Sequence, residues 1–285
     1  MSPRVAVSVV IPLGPDLSDL SDQLAALVPQ RPARGGEIIL SCNAFNPEAL
    51  RPWLAQVREG GWSAKAVDAR ARRGPSPARN IGWRAAESDL ILFCDSDDVV
   101  GADWVDRMIE GLRGSALVGG VLELDRLNPE LGPFPRQDPP RLATKFGHLP
   151  FAPSCALGAH RALLERLDGF DEELRCGEDI DLCWRAAYLG YPIILAPDAV
   201  LHYRLRRTAR ETFHQAVAYG KEDRELLARH RDRGARVPSG WPLREGLAAA
   251  VNAIRGLADR RARFQAARQL GTIVGWLQGR RTPLR

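Results

Sequence analysis

Several things are scarce in this chain of 285 residues, and each absence narrows what it can be. Cysteine occurs five times, at Cys42, Cys94, Cys155, Cys176 and Cys183, an odd number with no C-x-x-C pair. That speaks against a disulfide framework pairing every cysteine and leaves reduced thiols of a cytoplasmic protein as the simple expectation. No run of 18 apolar residues exists, so nothing reads as a bilayer-crossing helix. Met1 to Arg4 run directly into the apolar stretch Val5 to Ile11, without a long basic segment or a small-residue cleavage site. This start is expected to be a first core strand, not a signal peptide. No internal repeat is visible. The loop after that strand, Pro12-Leu13-Gly14-Pro15-Asp16, holds no Lys or Arg, which speaks against a nucleotidyltransferase.

What is present is a hydrophobic content of 45%, enough to bury a sizeable core in one large α/β domain with an appendage or in two modest domains. The net charge of +5 is unevenly spread: residues 204–285 carry 19 Lys/Arg against 7 Asp/Glu, so the remainder is net acidic. A basic tail of this kind reads as a solvated helical surface, or as a face for an anionic membrane, a phosphate-bearing ligand or nucleic acid.

Apolar runs alternate with helix-like stretches in the first half. Strands are expected at 5–11, 37–42, 64–68 and 89–94, and helices at 16–28, 47–59 and 77–87, a pattern that predicts a mostly parallel sheet covered on both faces. Asp89 to Cys94 lacks period-two alternation, as a strand buried on both sides should. Ser76 is expected to cap the helix at 77–87, with Pro77 at its first position and its open N–H groups able to accept an anion. Pro129, Pro133, Pro135, Pro139, Pro140, Pro150 and Pro153 make 125–153 a long irregular connection, usually functional or mobile. From Thr208 the pattern becomes helical. Thr208 and Glu211 form a T-x-x-E capping box, and apolar stripes follow, including Leu243, Leu247, Ala250, Val251, Ile254 and Leu257 and then Phe264, Leu270, Ile273, Val274 and Leu277. A break is expected near Pro238-Ser239-Gly240.

Three constellations can carry chemistry. Asp95, Asp97 and Asp98 crowd the end of the most hydrophobic strand, where open α/β sheets bind ligands. They form either a turn that caps the next helix or a site for Mg²⁺ or Mn²⁺, which would bridge phosphate oxygens. In Gly177-Glu178-Asp179-Ile180-Asp181-Leu182-Cys183-Trp184-Arg185, Glu178, Asp181 and Arg185 can share a helical face. The bland reading is an exposed helix with an Asp181–Arg185 pair; the functional one makes one acid a general base whose pKa is raised by burial among other acids. His202, after a strand candidate, is either a satisfied structural histidine or a ligand.

Taken in order, these pieces resemble the family 2 glycosyltransferases. The resemblance runs through Val7 to Pro12, Glu37 to Leu40, Gly74 to Gly82, Leu92 to Asp98, Gly169 to Glu172, Gly177 to Arg185 and His202, and covers roughly residues 5–207. It implies a GT-A fold, a doubly wound, mixed, mostly parallel sheet flanked by helices, with a C-terminal helical appendage. Residues 1–207 would be the GT-A domain, with a nucleotide-binding half at about 1–124 and an acceptor half at about 150–207, and 208–285 the basic helical extension. The resemblance also implies roles. Pro12, Asn43, Arg79, Asn80, Asp95 and Asp97 would bind the donor, with Asp97 and His202 holding the metal, Mn²⁺ or Mg²⁺. Asp179 would be the catalytic base, and Glu178 and Trp184 would line the acceptor. One departure is visible: where the family usually has an acid after the second strand, this chain has Cys42 and then Asn43. An Asn amide can still pair with a base edge.

The implied activity is that of an inverting hexosyltransferase, in which Asp179 takes the acceptor proton and the metal offsets charge on the departing diphosphate. The alternative is a binding or scaffold protein that keeps the fold; the joint presence of Asp97, Asp179 and His202 speaks against it. Expected partners are a nucleotide-sugar donor, a UDP-sugar first and dTDP or GDP next, and an acceptor that is a glycan, lipid-linked sugar, peptide or small molecule. No nucleic acid is expected. A cytoplasmic location is expected. The tail stripe with Arg260, Arg261, Arg263 and Arg268 beside Phe264, Trp276 and Leu277 either packs on the domain or lies peripherally at the inner face of a membrane.

Overall fold

The computed structural model describes residues 6–279. The expected first strand at 5–11 is shifted, since β1 covers Ser8–Leu13 and Val5 lies outside the described residues. There follow α1 (Leu20–Leu27), β2 (Glu37–Cys42), α2 (Arg51–Glu59), β3 (Ser63–Asp68), α3 (Pro75–Ala85), β4 (Leu90–Phe93), β5 (Val99–Val100), α4 (Trp104–Gly114) and β6 (Leu117–Glu123). The second half holds β7 (Ala143–Thr144), β8 (Pro150–Phe151), β9 (Leu157–His160), α5 (Arg161–Leu167), α6 (Glu178–Tyr188), β10 (Ile194–His202), α7 (Ala209–Arg229), α8 (Trp241–Arg255) and α9 (Arg260–Gln278).

Eight strands form one mixed sheet in the order β3-β2-β1-β4-β9-β6-β10-β5. The first four are mutually parallel, β9 runs antiparallel to both its neighbours, and β6 and β10 are parallel again. Successive residues of β1 serve opposite cores. Val9 and Ile11 pack with Leu24 of α1, Val57 of α2 and Met108 of α4, whereas Val10 packs with Trp83 of α3, Leu164 of α5 and Leu182 of α6. Helices on both faces are why the central strands read as unbroken apolar runs.

The start of α3 differs from the expected Ser76 cap. Pro75 opens the helix, Gly74 precedes it with φ of 132°, and Ser76 is buried inside the first turn. The reason lies at Asn43, whose Oδ1 accepts from the Gly74 N–H at 2.7 Å and fixes the entry two residues early. At the tail, the Thr208–Glu211 capping box forms as expected and the break falls at Gly240.

A third apolar cluster joins the tail to the sheet domain, with Ile180 and Trp184 of α6 against Leu226, Leu227 and Ala235. Helices α7 and α9 meet backbone to backbone. A β-carbon at Gly220 would strike the Thr272 carbonyl, one at Gly271 the Phe213 carbonyl, and one at Gly275 the Val217 carbonyl. No helix among the described residues is long and apolar enough to cross a membrane.

Candidate active site

The carboxyl ends of β1, β2 and β4 open onto a recess of about 690 Å³ lined by Pro12, Asn43, Arg79, Asp95, Asp97 and Arg206, among others. A second recess of about 620 Å³ is lined by Ser154, Glu178, Asp179 and Tyr219. Pro75, Arg79, Asp95 and Arg206 belong to both walls. The two spaces therefore share a seam made of two guanidinium groups and one carboxylate.

Arg79 is the centre of that seam. It comes from the second turn of α3, is 3% exposed, and places Nη2 2.7 Å from Asp95 Oδ1 and Nη1 2.8 Å from Glu178 Oε1. Burial would favour loss of its proton, but the charges of Asp95 and Glu178 outweigh burial and hold it above the ordinary arginine value. The pair matters for its neighbours, because a buried carboxylate without a partner is costly.

Asp179 sits at the start of α6, just after Gly177, whose φ of 76° turns the chain into the helix. Its Oδ2 accepts from the Ser154 N–H at 3.1 Å and its Oδ1 from the Ile180 N–H at 2.8 Å. Burial raises its pKa against those two donors and the charge of Arg79. Burial, and then the charge of Asp179, also raise Glu178, to about 7, against Arg79. The site thus holds a half-buried carboxylate, oriented by backbone donors and more basic than an exposed Asp, at the edge of an open recess.

The loop after β4 is fixed from below. Gln23 of α1 donates to the Asp95 carbonyl at 3.1 Å and accepts from the Val100 N–H at 2.9 Å. Asp97 has a pKa raised by burial and by the charge of Asp95, with Arg206 opposing from 3.8 Å. Asp98 is 1% exposed; its Oδ1 accepts from the Arg204 N–H at 2.8 Å, while its Oδ2 has no hydrogen-bond partner. Burial, then Asp95, push its carboxyl up to about 8.

Three crowded acids fit a hard divalent cation, which would offset the burial and then the repulsion that raise Asp97 and Asp98. Ligating atoms of Asp95, Asp98 and Cys155 come within 4.8 Å of one another. Cys155 is a poor member of such a set, since burial raises its thiol well above the ordinary value and thiolates suit softer metals. Asp95 and Asp97 both line the recess wall.

Four expected site residues have other employment in this structure. His202 is not among the residues lining the recess that holds Asp97; its Nδ1 lies 2.6 Å from Glu123 Oε2, because β6 and β10 pair Glu123 with His202 in register. Asn80 is 1% exposed and donates to the Phe170 carbonyl and to Glu172, while its Oδ1 accepts from the Phe170 N–H and Trp83 Nε1. It clamps the Gly169–Glu172 turn and has no donor left for a ligand. Asn43 does line the recess, but both its amide hydrogens go to the Ala69 and Arg72 carbonyls, at 2.6 and 2.7 Å, so pairing with a base edge through that NH₂ is spent. Trp184 is fully buried, donates to the Leu149 carbonyl at 3.0 Å and packs edge-on between His148 and His230. It supports α6 and does not face an acceptor space.

Other residues at the site escaped the sequence reading. Arg204, Arg206 and Arg207 line the first recess, so the charge rise that begins at 204 starts inside the site and not in a solvated tail. The second recess takes Gln215, Tyr219, Glu222 and Asp223 from α7, the first helix of the expected appendage. A third space, of about 610 Å³, runs under the proline-rich segment and shares Leu122, Phe151 and Pro153 with the second. The basic cluster directly after His202 was the legible signal; the α7 wall had none.

Comparison with known proteins agrees with this geometry. The chain is 28% identical over 176 residues to the pre-mycofactocin glycosyltransferase of Mycobacterium tuberculosis, covering 57% of this chain and 37% of that protein. It is 31% identical over 151 residues to the succinoglycan biosynthesis protein ExoO of Rhizobium meliloti, covering 47% and 43%. The chain thus spans well under half the length of these relatives. Among solved structures it resembles the mannosyltransferase PcManGT from Pyrobaculum calidifontis in complex with GDP-Man and Mn²⁺, with a TM-score of 0.69 and 19% identity over 97% of this chain and 87% of that one. It also resembles S. aureus TarS 1–349 in complex with UDP-GlcNAc, with a TM-score of 0.56 and 18% identity over 96% and 92%. At such identities these likenesses show the fold alone, which is GT-A. The model of Glycosyl transferase family 2 matches residues 8–167, more than half of the chain. The chain is a member of glycosyl transferase family 2.

Proposed function

We propose that this protein transfers a hexosyl group from a nucleoside-diphosphate sugar, held in the first recess, to an acceptor hydroxyl held in the second, with inversion. The observation that carries this reading is the shared seam. Asp97 stands on one side of Arg79 and Asp95, and Asp179 on the other, so leaving group and attacking group are bound in adjoining spaces.

Asp179 takes the acceptor proton as that oxygen bonds to the anomeric carbon and the bond to the diphosphate breaks, a general-base contribution of about 10²–10⁴-fold. Displacement from the face opposite the diphosphate inverts the anomeric configuration. Arg206 and Arg207 bring positive charge to the diphosphate, and Arg79 holds Asp95 and Glu178 in place. Asp97 and the oxygen of Asp95 not bound to Arg79 would hold Mn²⁺ or Mg²⁺, which supplies charge neutralisation for the departing diphosphate. The GDP-Man and Mn²⁺ bound to the similar mannosyltransferase support a divalent metal and a nucleotide-sugar donor. UDP-, GDP- and dTDP-sugars are the donor set; the commitment of the Asn43 amide to the loop at 69–74 removes one specific reason to prefer uridine. The buried free cysteines support a cytoplasmic location.

A panel of UDP-, GDP- and dTDP-sugars, assayed for nucleotide release with Mn²⁺, Mg²⁺ or excess chelator, tests the proposal. Release from one donor that depends on metal and is lost in Asp179→Asn is the expected result. Failure of every donor to bind or react would overturn it.

A further inference from the structure

Among the described residues, helix α8 presents an apolar face that is left exposed. Leu243, Leu247, Ile254 and Leu257 are 69, 62, 72 and 85% exposed, and Val251 is exposed with them. At 100° per residue Leu243, Leu247, Val251 and Ile254, with Ala250, fall within one sector of about 100° on α8, and Leu257 follows in the turn after it. The opposite side of the helix is already used: Ala249 is fully buried, Trp241 packs against Trp276 with ring centroids 5.3 Å apart, and Asn252 donates to Gln269 at 2.9 Å. The face is therefore a second apolar surface on a helix whose first is spent on α9.

The stripe of α9 is open to two readings from its sequence, packing on the domain or lying at a membrane, and much of it packs. In α9, Phe264, Ala262 and Ala266 are buried and Trp276 meets Phe146 and Trp241 edge-on, so the inner part of this helix packs inside the protein while Leu270 and Leu277 stay exposed.

We propose that the α8 face lies in the interface of an anionic lipid bilayer. Charge selects this occupant. Residues 241–279 contain six arginines against Glu245 and Asp259. Arg244 and Arg255 are exposed along one edge of the apolar sector, and Arg260 and Arg263 are exposed at the turn into α9. Apolar side chains flanked by guanidinium groups are what a helix lying in the headgroup region requires. A second copy of the chain fits less well, since an antiparallel two-fold pair of these helices would set the Arg244–Arg255 edges side by side.

The test uses the full chain and two kinds of vesicle, phosphatidylcholine alone and phosphatidylcholine mixed with phosphatidylglycerol. The protein should sediment with the mixed vesicles, less so as NaCl rises and far less with the neutral ones. Leu247→Ser with Ile254→Ser should lower partitioning by about tenfold or more, since two buried apolar side chains are lost. Both positions are exposed, so thermal unfolding should be unchanged in that variant. Arg244→Glu with Arg255→Glu should erase the preference for anionic lipid. Absence of sedimentation overturns the proposal, as does sedimentation that the Leu247→Ser, Ile254→Ser variant leaves intact. A dimer by light scattering that the same variant dissociates, without vesicle binding, assigns the face to a second copy instead. No sugar enters the assay, so its outcome is independent of the transferase reading.

Discussion

Arg79 and Glu178, 99 positions apart in sequence, meet at 2.8 Å in a place where both side chains are largely buried. With Asp95 on its other arm, the guanidinium joins the end of β4 to the start of α6, and so the acids at 95–98 to those at 178–179. Replacing Arg79 with Met removes the charge and strands two carboxylates. A loss of about 3–5 kcal/mol in urea unfolding is expected, with Arg79→Lys recovering only part of it because one ammonium cannot span both acids. Equal stability of Arg79→Met and the parent would refute this account of the seam.

Asp179→Asn keeps shape and polarity but removes basicity. Turnover should fall by about 10² or more with donor affinity little changed. Because burial raises the Asp179 pKa, the acid limb of the parent rate profile should lie above the ordinary Asp value of about 3.9, with activity rising as the carboxylate forms. Loss of donor binding in this variant would make Asp179 a donor ligand.

Calorimetric titration of Mn²⁺ in the presence of UDP or GDP separates the metal ligands. Asp97→Ala should abolish metal-dependent nucleotide binding and leave the fold intact, since that side chain is 43% exposed. His202→Ala should retain it if the imidazole serves Glu123. A loss in His202→Ala equal to that in Asp97→Ala would restore His202 as a ligand.

Trp184→Ala should behave as a core deletion. The expected cost is about 3–5 kcal/mol, read by chemical denaturation, with the KM of the acceptor unaltered in the more conservative Trp184→Phe. A KM effect without a stability effect would return Trp184 to the acceptor wall.

Asp181 offers a pH test of the joint between tail and domain. Burial would raise its carboxyl, but hydrogen bonds from His230 and Arg185 and the charge of Arg185 outweigh it and hold the pKa below the ordinary value. A lowered folded pKa stabilises the protein fully above about 3.9 and ceases to do so as pH falls through the folded value. The stability gap between the parent and Asp181→Asn should therefore narrow below that pH. A gap that stays constant would deny Asp181 this role.

Strand positions were legible because burial on both faces leaves unbroken apolar runs: 37–42 is β2 as expected, and 89–94 contains β4. The acids at 95–98 and 178–179 were legible from their placement at element ends. What sequence could not show was hydrogen-bond employment. Asn80, Asn43 and His202 look like ligand residues, yet each is engaged by a backbone or side-chain group from a distant segment. Ser76 has a capping residue type, but Asn43 fixes the helix start elsewhere. Nor could helical periodicity tell which stripe of the tail faces inward, since the stripes of α8 and α9 are alike in composition and differ only in whether α7 covers them.

The glycine contact between α7 and α9 limits how this scaffold can be recombined. Gly220 sits against the Thr272 carbonyl, and Gly275 against that of Val217, so each helix is cut to the backbone of the other. A chimaera that takes α9 from a donor lacking those glycines would push the two axes apart, and the displacement would reach Tyr219 and Asp223 on the wall of the second recess. The transferable module is therefore the α7–α9 pair with its intervening α8, and the α7 wall of the second recess can be moved between proteins only with that whole block.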